Sequence, residues 1–91
     1  MKLKWTGRAH SDLARLYEFL APVDKPAAAR AVQALVKASA ILPMNPRIGE
    51  QLPQFGPREV RRILSGRYEI RYEIQGETIY ILRLWHTRED R

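Results

Sequence analysis

The side chains best suited to chemistry in this 91-residue chain are few. His86 closes an apolar run in Leu84-Trp85-His86-Thr87-Arg88. An imidazole titrates near neutral pH, so it can give or take a proton there; the competing role is a sheet-edge His hydrogen-bonded to backbone. Glu69 and Glu73 alternate with Arg67 and Arg71. Paired carboxylates can do acid–base work, but the interleaved Arg make ion pairing along one strand face the simpler use. Trp5 and Trp85 could stack on bases or pack in a core or on a sheet edge. Arg58, Arg61, Arg62 and Arg67 fall within ten residues, opposed in sequence only by Glu59. Guanidinium forks suit carboxylate or phosphate.

Other chemistries lack their residues. The chain has no Cys, which excludes disulfides and Cys-based zinc sites. His10 and His86 do not have the spacing of a metal-ligand pair. No Gly-rich phosphate loop or dinucleotide fingerprint occurs. Ser65-Gly66 reads as a hairpin turn, not a nucleophile elbow. No cofactor is expected.

These groups must be positioned by a small framework. The length suits one domain, residues 1–91. Net charge is +6, and 12 of the 16 basic residues are Arg. That excess serves solubility, nucleic acid or an acidic protein partner. No apolar run approaches the ~20 residues of a membrane span, and the N-terminus lacks a signal-peptide core. A soluble cytoplasmic protein is the expectation.

Residues 2–5 read as a strand. Thr6 caps a helix whose apolar stripe is Ala9, Leu13, Leu16, Tyr17 and Leu20. Asp12, Arg15 and Glu18 are placed off that stripe. Pro22 ends the helix, and Asp24 caps a second one with Pro26 in its first turn. The second helix runs to about Leu42, with Ala28, Val32, Leu35, Ser39 and Leu42 along one face. The short link makes an antiparallel helical hairpin. Residues 43–57 form an irregular Pro-rich connector. Residues 58–64 read as a strand, with a bulge at Arg61-Arg62. In the next strand Tyr68, Ile70, Tyr72 and Ile74 face one way, and the charged residues face water. Gln75-Gly76-Glu77 turns into the last strand, residues 78–85, whose Ile79-Tyr80-Ile81-Leu82 is apolar on both faces, as a mid-sheet strand requires. A polar tail, residues 86–91, follows, anchored by the Trp85 ring.

The order is β-α-α-β-β-β. It predicts an α+β fold, an antiparallel sheet of three to four strands with a two-helix hairpin on one face. The other face, with Glu69 and Arg71, is expected to be at least partly open.

The chain resembles the ParE branch of the RelE/ParE toxins of toxin–antitoxin modules. The resemblance is carried by Trp5, by Ala9-x-x-Asp12-Leu13 with Tyr17, and by Ala27-Ala28. Asn45-Pro46-Arg47-Ile48-Gly49, residues 68–74 and residues 79–88 complete it. It implies the β-α-α-β-β-β fold and a type II toxin. RelE-like members are ribosome-dependent mRNA endonucleases with a phosphate-contacting Arg early in the penultimate strand. Here that position holds Glu69, and no Tyr follows His86. The ending resembles ParE, which implies a gyrase poison without hydrolytic activity of its own; the RelE-like nuclease is the alternative. The implied antitoxin is ParD-like, with an acidic amphipathic segment, and operator DNA is met only through it. Target-binding candidates are Arg83, Trp85, His86 and Arg88. Antitoxin-binding candidates are Tyr17, Leu20, Val32 and Val36, lining a groove between hairpin and sheet, and the cluster Arg58, Arg61, Arg62 and Arg67.

Overall fold

A computed structural model describes residues 1–89; of the tail, Asp90 and Arg91 lie outside the described residues. The chain runs β1 (Lys2–Trp5), α1 (Gly7–Leu20), α2 (Lys25–Ala40), β2 (Glu50–Gln51), a 3-10 turn (Pro53–Phe55), β3 (Glu59–Ser65), β4 (Tyr68–Gln75) and β5 (Thr78–His86). Both expected caps are made. Thr6 accepts from the Ala9 N–H, and Asp24 accepts from the Ala27 N–H, so each helix start has a first-turn donor satisfied.

The sheet has five strands in the order β1-β5-β4-β3-β2 and is mixed. Two expectations are corrected here. β1 pairs parallel to β5, Leu3 opposite Ile79 and Trp5 opposite Ile81, so the sheet is not wholly antiparallel. The connector is not wholly irregular: Glu50 and Gln51 pair with Arg62 and Arg61 as a two-residue edge strand.

The helical hairpin covers one face. Ala9, Leu16, Leu35 and Leu42 meet Ile70, Tyr72, Ile74, Ile79, Ile81 and Leu84 in a single buried cluster. Trp5, Leu3 and Ile63 pack against its margin. Gly66 (φ 59) and Gly76 (φ 58) turn the two hairpins of β3–β5 in the left-handed region that Gly enters without strain.

The bulge expected at Arg61-Arg62 lies elsewhere. β3 and β4 pair without interruption, and the register slips between β4 and β5. Arg71 faces Arg83, whereas Tyr72 faces Ile81, which leaves Leu82 as the extra residue. Strict alternation from Ile79 and Ile81 would send Arg83 and Trp85 into the core. The extra residue inverts the phase: Leu84 enters the core, and Arg83 and Trp85 move to the opposite face. Thr6 pins the bulge, its N–H donating to the Ile81 carbonyl (3.1 Å) and its hydroxyl to the Leu82 carbonyl (3.1 Å).

The connector is tied to the sheet by Tyr72. Its hydroxyl donates to the Pro46 carbonyl (2.8 Å) and accepts from the Gly49 N–H (3.0 Å). Burial is the main influence pushing the Tyr72 pKa up. A Cβ on Gly49 would stand 2.6 Å from the Arg62 carbonyl oxygen and 2.7 Å from the Tyr72 hydroxyl. Because one obstacle is backbone, Gly49→Ala should destabilise the protein by about 1–3 kcal/mol, the usual range for overpacking. A shift of the urea midpoint to lower concentration checks this; an unchanged midpoint would show that the connector yields freely.

Candidate functional site

The face away from the helices is not the solvated surface that the alternating sequence suggests. Glu69 is 1% exposed, and Glu73 is also buried. Arg side chains and one aromatic turn cover them. Glu69 accepts from Arg71 (3.1 Å) and from Arg62 (3.4 Å). Glu73 takes a two-pronged contact from Arg58 at 3.0 and 2.7 Å. That contact is the first cause of a Glu73 pKa below the ordinary carboxylate value. The expected partnership with Arg67 is not made: Arg67 stands exposed in the β3–β4 turn.

Above these pairs guanidinium groups and rings alternate. Arg58 and Arg71 lie over Phe55 at 5.8 and 5.4 Å, and Arg71 and Arg83 lie over Trp85 at 4.7 and 5.5 Å. Phe55 arrives from the 3-10 turn, while Arg83 and Trp85 arrive by the Leu82 bulge. Trp85 is buried, as expected of an anchor, and has two cations over its ring. The ladder borders a cleft of about 910 Å³ that reaches the start of α1.

Asp12 anchors the arrangement and was misplaced by the helical-wheel reading. It is buried on α1. It accepts from Arg83 Nε (2.8 Å) and Nη2 (3.2 Å), from the Leu84 N–H (2.9 Å) and from Arg15 (3.3 Å). A signal existed, since Asp12 lies three residues after Ala9 and four before Leu16, in the buried stripe itself.

The end of β5 is also held by hydrogen bonds. The Thr87 N–H donates to the Arg67 carbonyl (2.8 Å) and the Glu89 N–H to the His86 carbonyl (2.9 Å). Glu89 accepts from the His86 N–H (2.8 Å) and pairs with Arg15. His86 Nδ1 accepts from the Arg88 N–H (3.1 Å), and the imidazole meets Tyr68 edge-on at 5.3 Å. His86 and Arg88 share a mainly apolar pocket with Tyr68, Leu20 and Phe19, a residue that is 76% exposed. Arg83 and Trp85 lie on the cation ladder instead.

A third feature lies at the other end of the sheet. β2 pairs only as far as Arg62, so among the described residues Ile63–Ser65 of β3 have no strand on that side. A shallow groove beside this open edge is lined by Ala38, Ile41, Ile48, Ile63 and Leu64, with Arg62 at its margin.

The ParE toxin family of the type II toxin–antitoxin system parDE matches residues 3–91. The chain belongs to that family. Its structure is similar to that of a solved protein described as the chromosomal ParDE TA system from P. aeruginosa. The TM-score is 0.80 at 29% identity, over 94% of this chain and 95% of that one. Among curated proteins there is no significant match.

Within this ParE-family chain the antitoxin-binding candidates are scattered. Tyr17, Leu20 and Val32 are half-buried, and Val36 is exposed on α2. None of the four lines the groove at the β3 edge, and Leu20 lines the His86 pocket. The Arg cluster is opposed by more than Glu59. Arg58 pairs with Glu73, Arg61 with Glu59, and Arg62 with Glu50 and Glu69. Arg61 and Arg62 also point to opposite faces, because neighbours on a strand must. Among the described residues no helix is long and apolar enough to cross a membrane, and no cluster of His, Cys, Asp or Glu could hold a metal.

Proposed function

We propose that this type II toxin poisons DNA gyrase without a hydrolytic activity of its own, and that a ParD-like antitoxin neutralises it. The observation that carries the first part is the composition of the open face. Among the described residues the cleft lining has no His or Tyr, and its one carboxylate, Glu89, is held by Arg15 and the His86 N–H. RNA cleavage by general acid–base catalysis needs a titratable group free to reach the reacting oxygens. Glu69, where the nuclease branch has Arg, is buried beneath Arg71 and offers no donor to a scissile phosphate. The gyrase contact is assigned to His86 and Arg88 with the apolar pocket beside them. The toxin then acts in the bacterial cytoplasm and meets operator DNA only through its antitoxin.

The antitoxin is placed on the open β3 edge and its groove. An extended segment can add to an unpaired strand while its apolar side chains enter the groove. Its acidic residues would meet Arg62 and Arg67. Reversing Arg61 or Arg62 would break internal pairs, so Arg67 is the cleaner probe. Arg67→Glu should slow antitoxin association several-fold at low salt, the difference fading as salt screens exposed charges. Stopped-flow rates across a salt series check this; a rate indifferent to both changes would remove the steering.

Expression in bacteria tests the function. Gyrase-linked DNA breaks with an SOS response are the expected result. Primer extension showing cleavage at ribosome A-site codons would move the chain to the nuclease reading.

A further inference from the structure

We propose that the cleft on the open face, which meets the His86 pocket at Arg15 and Glu89, is a binding site for the phosphodiester backbone of single-stranded nucleic acid that takes no part in cleavage chemistry. Five guanidinium groups border it, those of Arg8, Arg15, Arg58, Arg71 and Arg83, against the single carboxylate of Glu89. The carboxylates that balance most of them, Asp12, Glu69 and Glu73, lie buried beneath. An incoming anion therefore meets the cations first. Those buried carboxylates also hold the guanidinium groups in place before any ligand arrives, which lowers the entropy cost of binding.

The donors are not used up. Arg71 Nε–H is buried and has no hydrogen-bond partner among the described residues. Arg8 makes no ion pair among the described residues, although it borders the cleft. At Gly7 nothing lies within 4 Å of where a Cβ would stand. A phosphate could thus approach the first turn of α1, the positive end of its dipole.

The ladder also chooses among anions. Arg58 and Arg71 lie over the ring of Phe55, which is only half-buried. Guanidinium planes and aromatic faces stack nucleobases with little regard to sequence. A carboxylate ligand would use the charge but not the planes. The cleft volume of about 910 Å³ is within the range of small-ligand sites, about 300–1,000 Å³. That size suits one or two nucleotides of a single strand better than a duplex.

Anisotropy of fluorescein-labelled hexamers of thymidine deoxynucleotide, of uridine ribonucleotide, and of a duplex, titrated with the full chain, tests this. Either single strand should bind with an affinity that falls as salt rises, and the stronger one identifies DNA or RNA as the source. Arg8→Glu should weaken binding about tenfold, the loss of one charge-assisted contact. Arg30→Glu, the same charge change on the exposed side of α2, should weaken it less than about twofold. Arg71→Met should abolish binding; should it unfold the chain, the Arg8 and Arg30 pair still decides. Equal losses from Arg8→Glu and Arg30→Glu would reduce the effect to net charge and overturn the site. Duplex binding as tight as single-strand binding, or no binding at low salt, would overturn it as well.

Discussion

Replacing Asp12 with Ala should lower the unfolding free energy by about 3 kcal/mol, because removing one partner of a buried ion pair strands the other groups. Asp12 alone satisfies two guanidinium contacts from Arg83, one from Arg15 and the Leu84 N–H. Water can reach Arg83 and Arg15, whose side chains are partly exposed, so the cost stays at the lower end of the buried-pair range. For a domain stable by about 5–15 kcal/mol this is a large fraction. Asp12→Asn keeps an acceptor for Leu84 but loses the charge, and should cost roughly half as much. Urea denaturation of both variants checks the order. A midpoint unchanged in Asp12→Ala would remove Asp12 as the anchor of the ladder.

The same residue fixes the acid limb of stability. Burial is the largest single influence on Asp12 and acts to raise its pKa. The hydrogen bonds from Arg83, Leu84 and Arg15 and the Arg83 charge outweigh it together, and the pKa lies below the ordinary 3.8. A carboxyl whose folded pKa is depressed contributes stability that is full above its unfolded value. That contribution is lost as pH falls through the folded value. Glu59 and Glu73 are lowered too. Stability should therefore hold down to about pH 4–5 and fall steeply below it, and Asp12→Asn should flatten that fall.

Arg88→Ala should reduce toxicity about tenfold, the scale of one charge-assisted contact to a target, while folding stays intact. Arg88 is exposed, and among the described residues only its backbone N–H is used internally, by His86 Nδ1. His86→Gln should act in the same direction, since the turn loses the acceptor that fixes Arg88. Growth inhibition at matched expression, with circular dichroism of each variant, is the measurement. Full toxicity in both variants would move the target site away from this pocket, and loss of toxicity through unfolding would make both residues structural.

Much of the framework was legible because its signals are local. Thr6 and Asp24 cap because their oxygens reach donors three residues on, and Pro22 and Pro26 bracket the link between helices. The alternation in β4 correctly separated two faces. It could not show that the charged face is covered, because the cover is Phe55 and the side chains of Arg58 and Arg62 arriving from elsewhere in the chain. β2 is two residues long, too short to display a period of two. The parallel pairing of β1 is a tertiary choice with no local signature. The Leu82 bulge was hidden because Ile79-Tyr80-Ile81-Leu82 is apolar in either phase, and only the need to expose Arg83 while burying Leu84 betrays it. The functional candidates suffered most. Arg residues neighbouring in sequence point to opposite faces, and the carboxylates that hold them come from three strands, Glu50 from β2, Glu59 from β3, and Glu69 and Glu73 from β4.

The central claim, a toxin that acts on gyrase and not on RNA, is tested most directly with purified gyrase, supercoiled plasmid and the purified toxin. Proteinase treatment after a detergent stop should release linear DNA in proportion to toxin added, and prior addition of the antitoxin should abolish it. Plasmid that stays fully supercoiled, beside mRNA cut when the same toxin is added to translating ribosomes, would contradict the account.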